Sequence, residues 1–165
     1  DGFHQMHPHP ECQDLTAFVT PWGVYKWLVL PMGVKNGPAM FQRMVQSCIA
    51  ELPFTKIYLD DSIIGSYAKT VGDQLTVHYE HVRKTLEAFR KFKLTLKGVK
   101  CFLFMLMIKF CGHVLCNGTR RAAPSKLQAI AKWTPKMIKT VTHLKSFLGL
   151  TQFYSIYMRN YADVV

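Results

Sequence analysis

Within residues 55–65, TKIYLDDSIIG, two carboxylates stand side by side between β-branched and aromatic neighbours. Adjacent anions repel, and apolar flanks of this kind belong to a largely buried neighbourhood. One local geometry reconciles the two. Short strands over residues 56–59 and 62–66, joined by a tight turn, carry Asp60 and Asp61 at a hairpin tip. Whatever the chain folds into must contain that hairpin and a surface for it to pack on.

The flanking segments supply such a surface. Residues 16–20 and 25–30 are β-rich runs joined by Pro21-Trp22-Gly23, a turn signal that predicts a second hairpin. A Gly/Pro-dense loop follows at 30–38, with Asn36 as a candidate helix cap and Pro38 close to the first turn. Met40, Phe41, Met44, Val45, Cys48, Ile49 and Leu52 then recur at helical spacing up to Pro53. Leu75, Tyr79, Val82, Leu86 and Phe89 predict another helix, with Arg83, Lys84, Arg90 and Lys91 largely off that face. Residues 94–116 read as strands around a break at Gly98, and the tail from Pro124 reads as helices. Hairpins alternating with helices argue an α+β fold rather than a parallel α/β sheet.

The 165 residues suffice for one ordinary domain, and 49% hydrophobic residues can form a core, which argues against disorder. The formal charge of +11 suits a polyanionic partner, nucleic acid or an acidic membrane surface. Its distribution is uneven: four basic and six acidic groups lie in residues 1–66, and seventeen basic and four acidic groups follow. A solvated cationic face is the plainer account of the same asymmetry. Five cysteines without a CxxC pair fit a reducing compartment. The longest apolar run, residues 101–108, is far short of the roughly 20 residues that a spanning helix needs. These features predict an intracellular protein with no membrane partner. The chain begins with Asp and enters patterned sequence at once, as expected of a piece of something longer.

Two accounts of Asp60-Asp61 compete. Aspartate is a common turn former. Alternatively, the pair holds Mg²⁺, a hard cation that takes carboxylate and phosphate oxygens, and bound cations remove the mutual repulsion. Paired ions held this way are the apparatus of two-metal phosphoryl transfer. A separate cluster, His4, His7, His9 and Cys12, contains four zinc-ligand types without the pairing of a standard finger.

The order of motifs adds a resemblance. GFHQM, LPMGVKNGPAMFQ, YLDD, KCFLF, KFCGHV and LKSFLGLTQFY occur in that order along nearly the whole chain. They resemble the reverse transcriptase of gypsy-type LTR retrotransposons, which reads close to D-L-x-S-G-[YF]-H-Q-I, L-P-F-G-L-x-N-A-P-x-x-F-Q, Y-L-D-D, S-K-C-x-F, F-L-G-H and L-x-S-F-L-G-L-x-x-Y-Y. The resemblance implies a right-hand polymerase fold. Its palm, an antiparallel sheet packed on helices, would take residues 1–11 and 36–116. A partial fingers hairpin would take 12–35, and the start of a helical thumb 117–165.

It also implies roles. Asp60 and Asp61 correspond to the metal-binding pair, for two Mg²⁺ ions with Mn²⁺ as the alternative. Phe3 corresponds to the aromatic beneath the incoming sugar, which excludes a ribose 2′-OH by bulk; an ordinary core aromatic is the plainer account. The 30–42 segment, with Gly33, Pro38 and Gln42, corresponds to the region that meets the incoming dNTP and template, though plain turn geometry also explains its glycines. Lys100 corresponds to a triphosphate contact, or is one of 21 basic surface groups. Phe110, Cys111, Gly112 and His113 correspond to the primer grip. The expected partners are an RNA or DNA template with its primer and dNTP, with RNase H and integrase regions as neighbours in one polyprotein. The expected location is a cytoplasmic virus-like particle or the host nucleus.

Departures temper the carry-over. Aligned on G-F-H-Q, Asp1 takes the family's serine position, so the third carboxylate falls three residues before it. The fingers segment before that motif is also expected upstream, and the 165 residues alone are expected to be inactive. Gly37, Ser62 and Val99 also depart from the pattern, as in a diverging copy. The rival expectation is a non-catalytic nucleic-acid-binding remnant of a degenerate element.

Overall fold

The computed structural model describes residues 2–164. Asp1, read above as standing in the serine position, lies outside them. The chain divides into two compact units after Phe104.

The first unit opens with a 3-10 turn at Phe3–Gln5, then α1 (Pro10–Gln13) and a second such turn at Asp14–Thr16. A hairpin of β1 (Phe18–Thr20) and β2 (Gly23–Tyr25) follows, antiparallel with Phe18 opposite Tyr25. It is shorter than the predicted runs. The Thr16 hydroxyl accepts the Trp27 amide at 3.0 Å, which draws residues 26–30 off the ladder. Helix α2 (Gly37–Cys48) starts with Pro38 in its first turn, where a missing N–H costs nothing. Its buried side, Phe41, Val45 and Cys48, has the predicted three- and four-residue spacing.

The hairpin of β3 (Thr55–Tyr58) and β4 (Asp61–Ile64) pairs Thr55 with Ile64 and Tyr58 with Asp61, leaving a two-residue turn. Helix α3 (Val71–Lys91) is capped by Thr70, whose hydroxyl accepts the Asp73 amide and donates to the Asp73 carboxylate. Phe41, Val45, Cys48, Ile49 and Phe89 form the core, with Phe3, Met44, Leu52, Ile57 and Leu94 packed against it. The helices and β3 therefore converge beneath the carboxylate hairpin.

Two polar contacts fasten α3 to that hairpin. The hydroxyls of Thr55 and Thr85, each 1% exposed, lie 2.8 Å apart, and Thr85 donates to the His81 carbonyl, so Thr55 is the donor between them. Just beyond β4, the Ser66 hydroxyl meets Nδ1 of both His78 and His81, at 2.9 and 2.8 Å. The His81 ring lies flat on Phe54 with centroids 3.8 Å apart.

Residues 94–106 do not form the predicted strands. The Leu94 amide closes the end of α3 on the Phe89 carbonyl. The Gln5 side-chain amide takes both the N–H and the C=O of Thr95. A 3-10 turn at Gly98–Lys100 follows, so no ladder starts before Met107.

The second unit begins with a three-stranded antiparallel meander, β5 (Met107–Phe110), β6 (His113–Cys116) and β7 (Thr119–Ala122). Strand β7 lies in a stretch expected to be helical. Both connections are two-residue turns with positive φ throughout: Cys111 at 46° and Gly112 at 78°, Asn117 at 47° and Gly118 at 70°. That pattern matches the right-handed twist of antiparallel ribbons. Helix α4 (Pro124–Ala131), a 3-10 turn at Pro135–Met137 and helix α5 (Val141–Phe153) follow, then a 3-10 turn at Ser155–Tyr157 and α6 (Tyr161–Val164). Val114, Ala122, Ala123, Thr151 and Tyr154 are buried here. None of the five cysteines forms a disulfide among the described residues. No described helix is long and apolar enough to cross a membrane.

Candidate active site

Asp60 occupies the second position of the turn between β3 and β4, and Asp61 is the first residue of β4. Both are exposed. The first turn position is Leu59, at φ 51°. A side chain with a Cβ is sterically disfavoured there, and such a conformation persists only when its surroundings hold it.

Those surroundings come from α2 and from the first residues of the chain. The Gln42 side chain grips the end of β3 with both halves of its amide: Nε2 donates to the Ile57 carbonyl at 3.0 Å, and Oε1 accepts the Leu59 N–H at 2.6 Å. Its neighbour Phe41 is buried and meets Phe3 with ring centroids 5.2 Å apart. Gly2 lies so close to the hairpin that a Cβ there would collide with the Asp60 carboxylate and the Phe41 ring. Gly2, Phe3, Phe41, Gln42 and Asp60 thus form one contact group. Of these, Phe3, Gln42 and Asp60 have expected roles from the sequence, whereas Gly2 shows there only as the glycine beginning GFHQ and Phe41 only as a core position of its helix.

The remaining predicted residues lie elsewhere. Gly33, at φ 90°, is an exposed loop residue before α2, and Pro38 is exposed in the first turn of that helix. The Met6 carbonyl accepts the Leu30 amide at 2.8 Å, tying this loop to the first motif. Lys100 ends the 3-10 turn at Gly98–Lys100 and is exposed. The histidine cluster divides: the His7 ring meets the Leu28 carbonyl at 3.0 Å, and the His4 ring stacks on Trp27. Among the described residues, no three His, Cys, Asp or Glu side chains could hold a metal ion.

Phe110, Cys111, Gly112 and His113 form the β5–β6 tip in the second unit. Residues that sequence reasoning did not connect to them hold that tip. The Tyr154 hydroxyl donates to the Gly112 carbonyl at 3.2 Å, and the Tyr157 hydroxyl meets His113 Nδ1 at 2.8 Å. Phe153 stacks on the His113 ring at 5.1 Å. A Cβ on Gly112 would come 3.3 Å from the Phe153 ring, tighter than ordinary contact.

Residues 1–115 match the family described as "Reverse transcriptase (RNA-dependent DNA polymerase)". The chain belongs to that reverse transcriptase family. It is 33% identical over 165 residues to the "Retrovirus-related Pol polyprotein from transposon opus" of Drosophila melanogaster, covering 99% of this chain and 16% of that protein. It is 32% identical over 164 residues to the "Enzymatic polyprotein" of Figwort mosaic virus (strain DxS), covering 99% and 24%. The chain therefore spans a quarter or less of these relatives. Among solved structures, the foamy viral protease-reverse transcriptase dRH in complex with double-stranded DNA superposes with a TM-score of 0.79 at 24% identity, over 93% of this chain and 26% of that one. The same viral protein in another complex with double-stranded DNA gives 0.68 at 25% identity, over 93% and 30%. The fold is that of this reverse transcriptase family, α+β with antiparallel hairpins on helices.

Proposed function

We propose that the chain is the metal-binding part of an RNA-directed DNA polymerase, and that it comes from a gypsy-type LTR retrotransposon polyprotein. The observation that carries this reading is the Asp60-Asp61 hairpin, held on the core by α2 with the first motif alongside. Two exposed carboxylates on neighbouring residues are hard oxygen donors, the chemistry Mg²⁺ selects. Asp60 and Asp61 are the residues that would hold the ions. When bound, two Mg²⁺ supply activation of a primer 3′-OH toward the α-phosphate of a dNTP and stabilise the departing pyrophosphate. The third carboxylate of the family's first motif aligns three residues before Asp1, and the close approach of Gly2 to Asp60 brings that end of the chain beside the pair.

The other residues position reactants. Phe3, partly buried against Phe41, is proposed to lie beneath the incoming sugar. Gly33 and Pro38 line the approach of nucleotide and template, and Lys100 meets the triphosphate. Phe110, Cys111, Gly112 and His113 contact the primer end. The palm (1–11 and 36–116), fingers (12–35) and thumb (117–165) assignments belong to this reading, as does an intracellular site of action. Template and primer are bound largely through phosphates by the basic residues after position 66.

The test is incorporation of dTTP on poly-rA primed with oligo-dT, using the polypeptide extended upstream through the first motif's Asp. Asp60→Asn is expected to abolish incorporation, and unchanged incorporation refutes the role given to Asp60. The 165-residue chain alone is expected to incorporate nothing.

A further inference from the structure

We infer that Gln42 is a positioning residue that sets the carboxylate hairpin, rather than a group that contacts the nucleotide. The polymerase function proposed above is needed only for the kinetic half of its test. A side-chain amide has one acceptor oxygen and one donor nitrogen. In Gln42 both are engaged on the same strand end, the nitrogen with the Ile57 carbonyl and the oxygen with the Leu59 N–H. The two bonds bracket Tyr58 and fix the peptide that enters the turn.

Leu59 gives the clamp its purpose. A γ-branched residue at φ 51° has no intrinsic preference for that state, and a glycine or asparagine would be the usual occupant. The Gln42 oxygen accepts from the very amide whose orientation the positive φ dictates. Asp60 comes next, with its carboxylate against Gly2 on the other side. The pair is thus located by a bond from α2 on one flank and by the absence of a side chain on the other. Because Phe41 is buried in the core one residue earlier, Gln42 projects from a turn of α2 that is packed into that core. Shifting reacting groups by about 1 Å can lower a rate by roughly 100-fold.

Two measurements test this. In the 165-residue chain, Gln42→Met keeps side-chain length and removes both bonds. Hydrogen exchange at the Leu59 amide is expected to accelerate at least about tenfold, with exchange in α3 unchanged; unchanged Leu59 exchange overturns the proposal. Gln42→Glu keeps an acceptor for that amide, so Leu59 is expected to stay protected in it. Protection there supports the clamp even if Gln42→Met does not fold, and its loss there overturns the clamp. In the extended polypeptide, Gln42→Met is expected to lower kcat about 100-fold with the KM for dNTP unchanged. A raised KM with kcat retained would instead assign Gln42 to the nucleotide and overturn the proposal. If the unsubstituted polypeptide incorporates nothing, the polymerase reading fails while Leu59 exchange still decides the clamp.

Discussion

Thr55 and Thr85 each donate a hydroxyl proton where neither meets water, Thr55 to Thr85 and Thr85 to the His81 carbonyl. Thr85→Val removes the acceptor and strands the Thr55 hydroxyl, which is expected to cost about 1–3 kcal/mol and to lower Tm in thermal denaturation. Adding Thr55→Val removes the stranded group, so the double variant is expected to lose less than the two single losses combined. Residues at this scale were legible where local chemistry was anomalous. Asp60 and Asp61 stood out as charges in an apolar run. Gln42 entered only through the resemblance, as part of a nucleotide-facing segment, because a glutamine in a helix resembles any solvated one until its partners, 15 and 17 residues later, are known. Gly2 was hidden for the same reason, since the group it makes room for is 58 residues away.

Among the elements, the capped helix α3 joins the hairpin through groups of different sensitivity. Thr70→Ala is expected to destabilise the first unit by about 1 kcal/mol, read as a lower Tm, because the Asp73 amide loses its acceptor. Burial first, and then the neighbouring His81, hold the His78 pKa below the ordinary histidine value. The unfolded chain therefore binds that proton at higher pH than the folded chain. The stability His78 contributes is full above about pH 6.5 and declines as the pH falls through the folded value. Tm is expected to be lower at about pH 5.5 than at about pH 7.5, and His78→Gln to narrow the gap. Periodicity exposed α2 and α3 because their buried positions recur every three or four residues. It failed at residues 94–106, where Gln5 saturates Thr95 from far along the chain. It also passed over β7, although Asn117-Gly118 is a strong hairpin signal, because its Arg120-Arg121 centre lacks an apolar face.

The whole chain carries +11 formal charges, concentrated after residue 66. The proposed template binding should therefore depend steeply on salt. Affinity for primer–template is expected to fall at least about tenfold between roughly 50 and 200 mM salt, measured by fluorescence anisotropy. The two-unit division was not legible, since no Gly/Pro/Ser linker marks it. It falls instead within CFLFMLMI, where Phe102, Phe104 and Leu106 are 66%, 47% and 83% exposed. That seam has a practical consequence. A sticky uncharged ribbon bounded by Lys100 and Lys109 is the sort of sequence through which copies clump, and flanking charges of this kind act as gatekeepers against clumping. Acetylating both lysines is therefore expected to raise the turbidity of a concentrated solution at temperatures where both halves stay folded, read by light scattering.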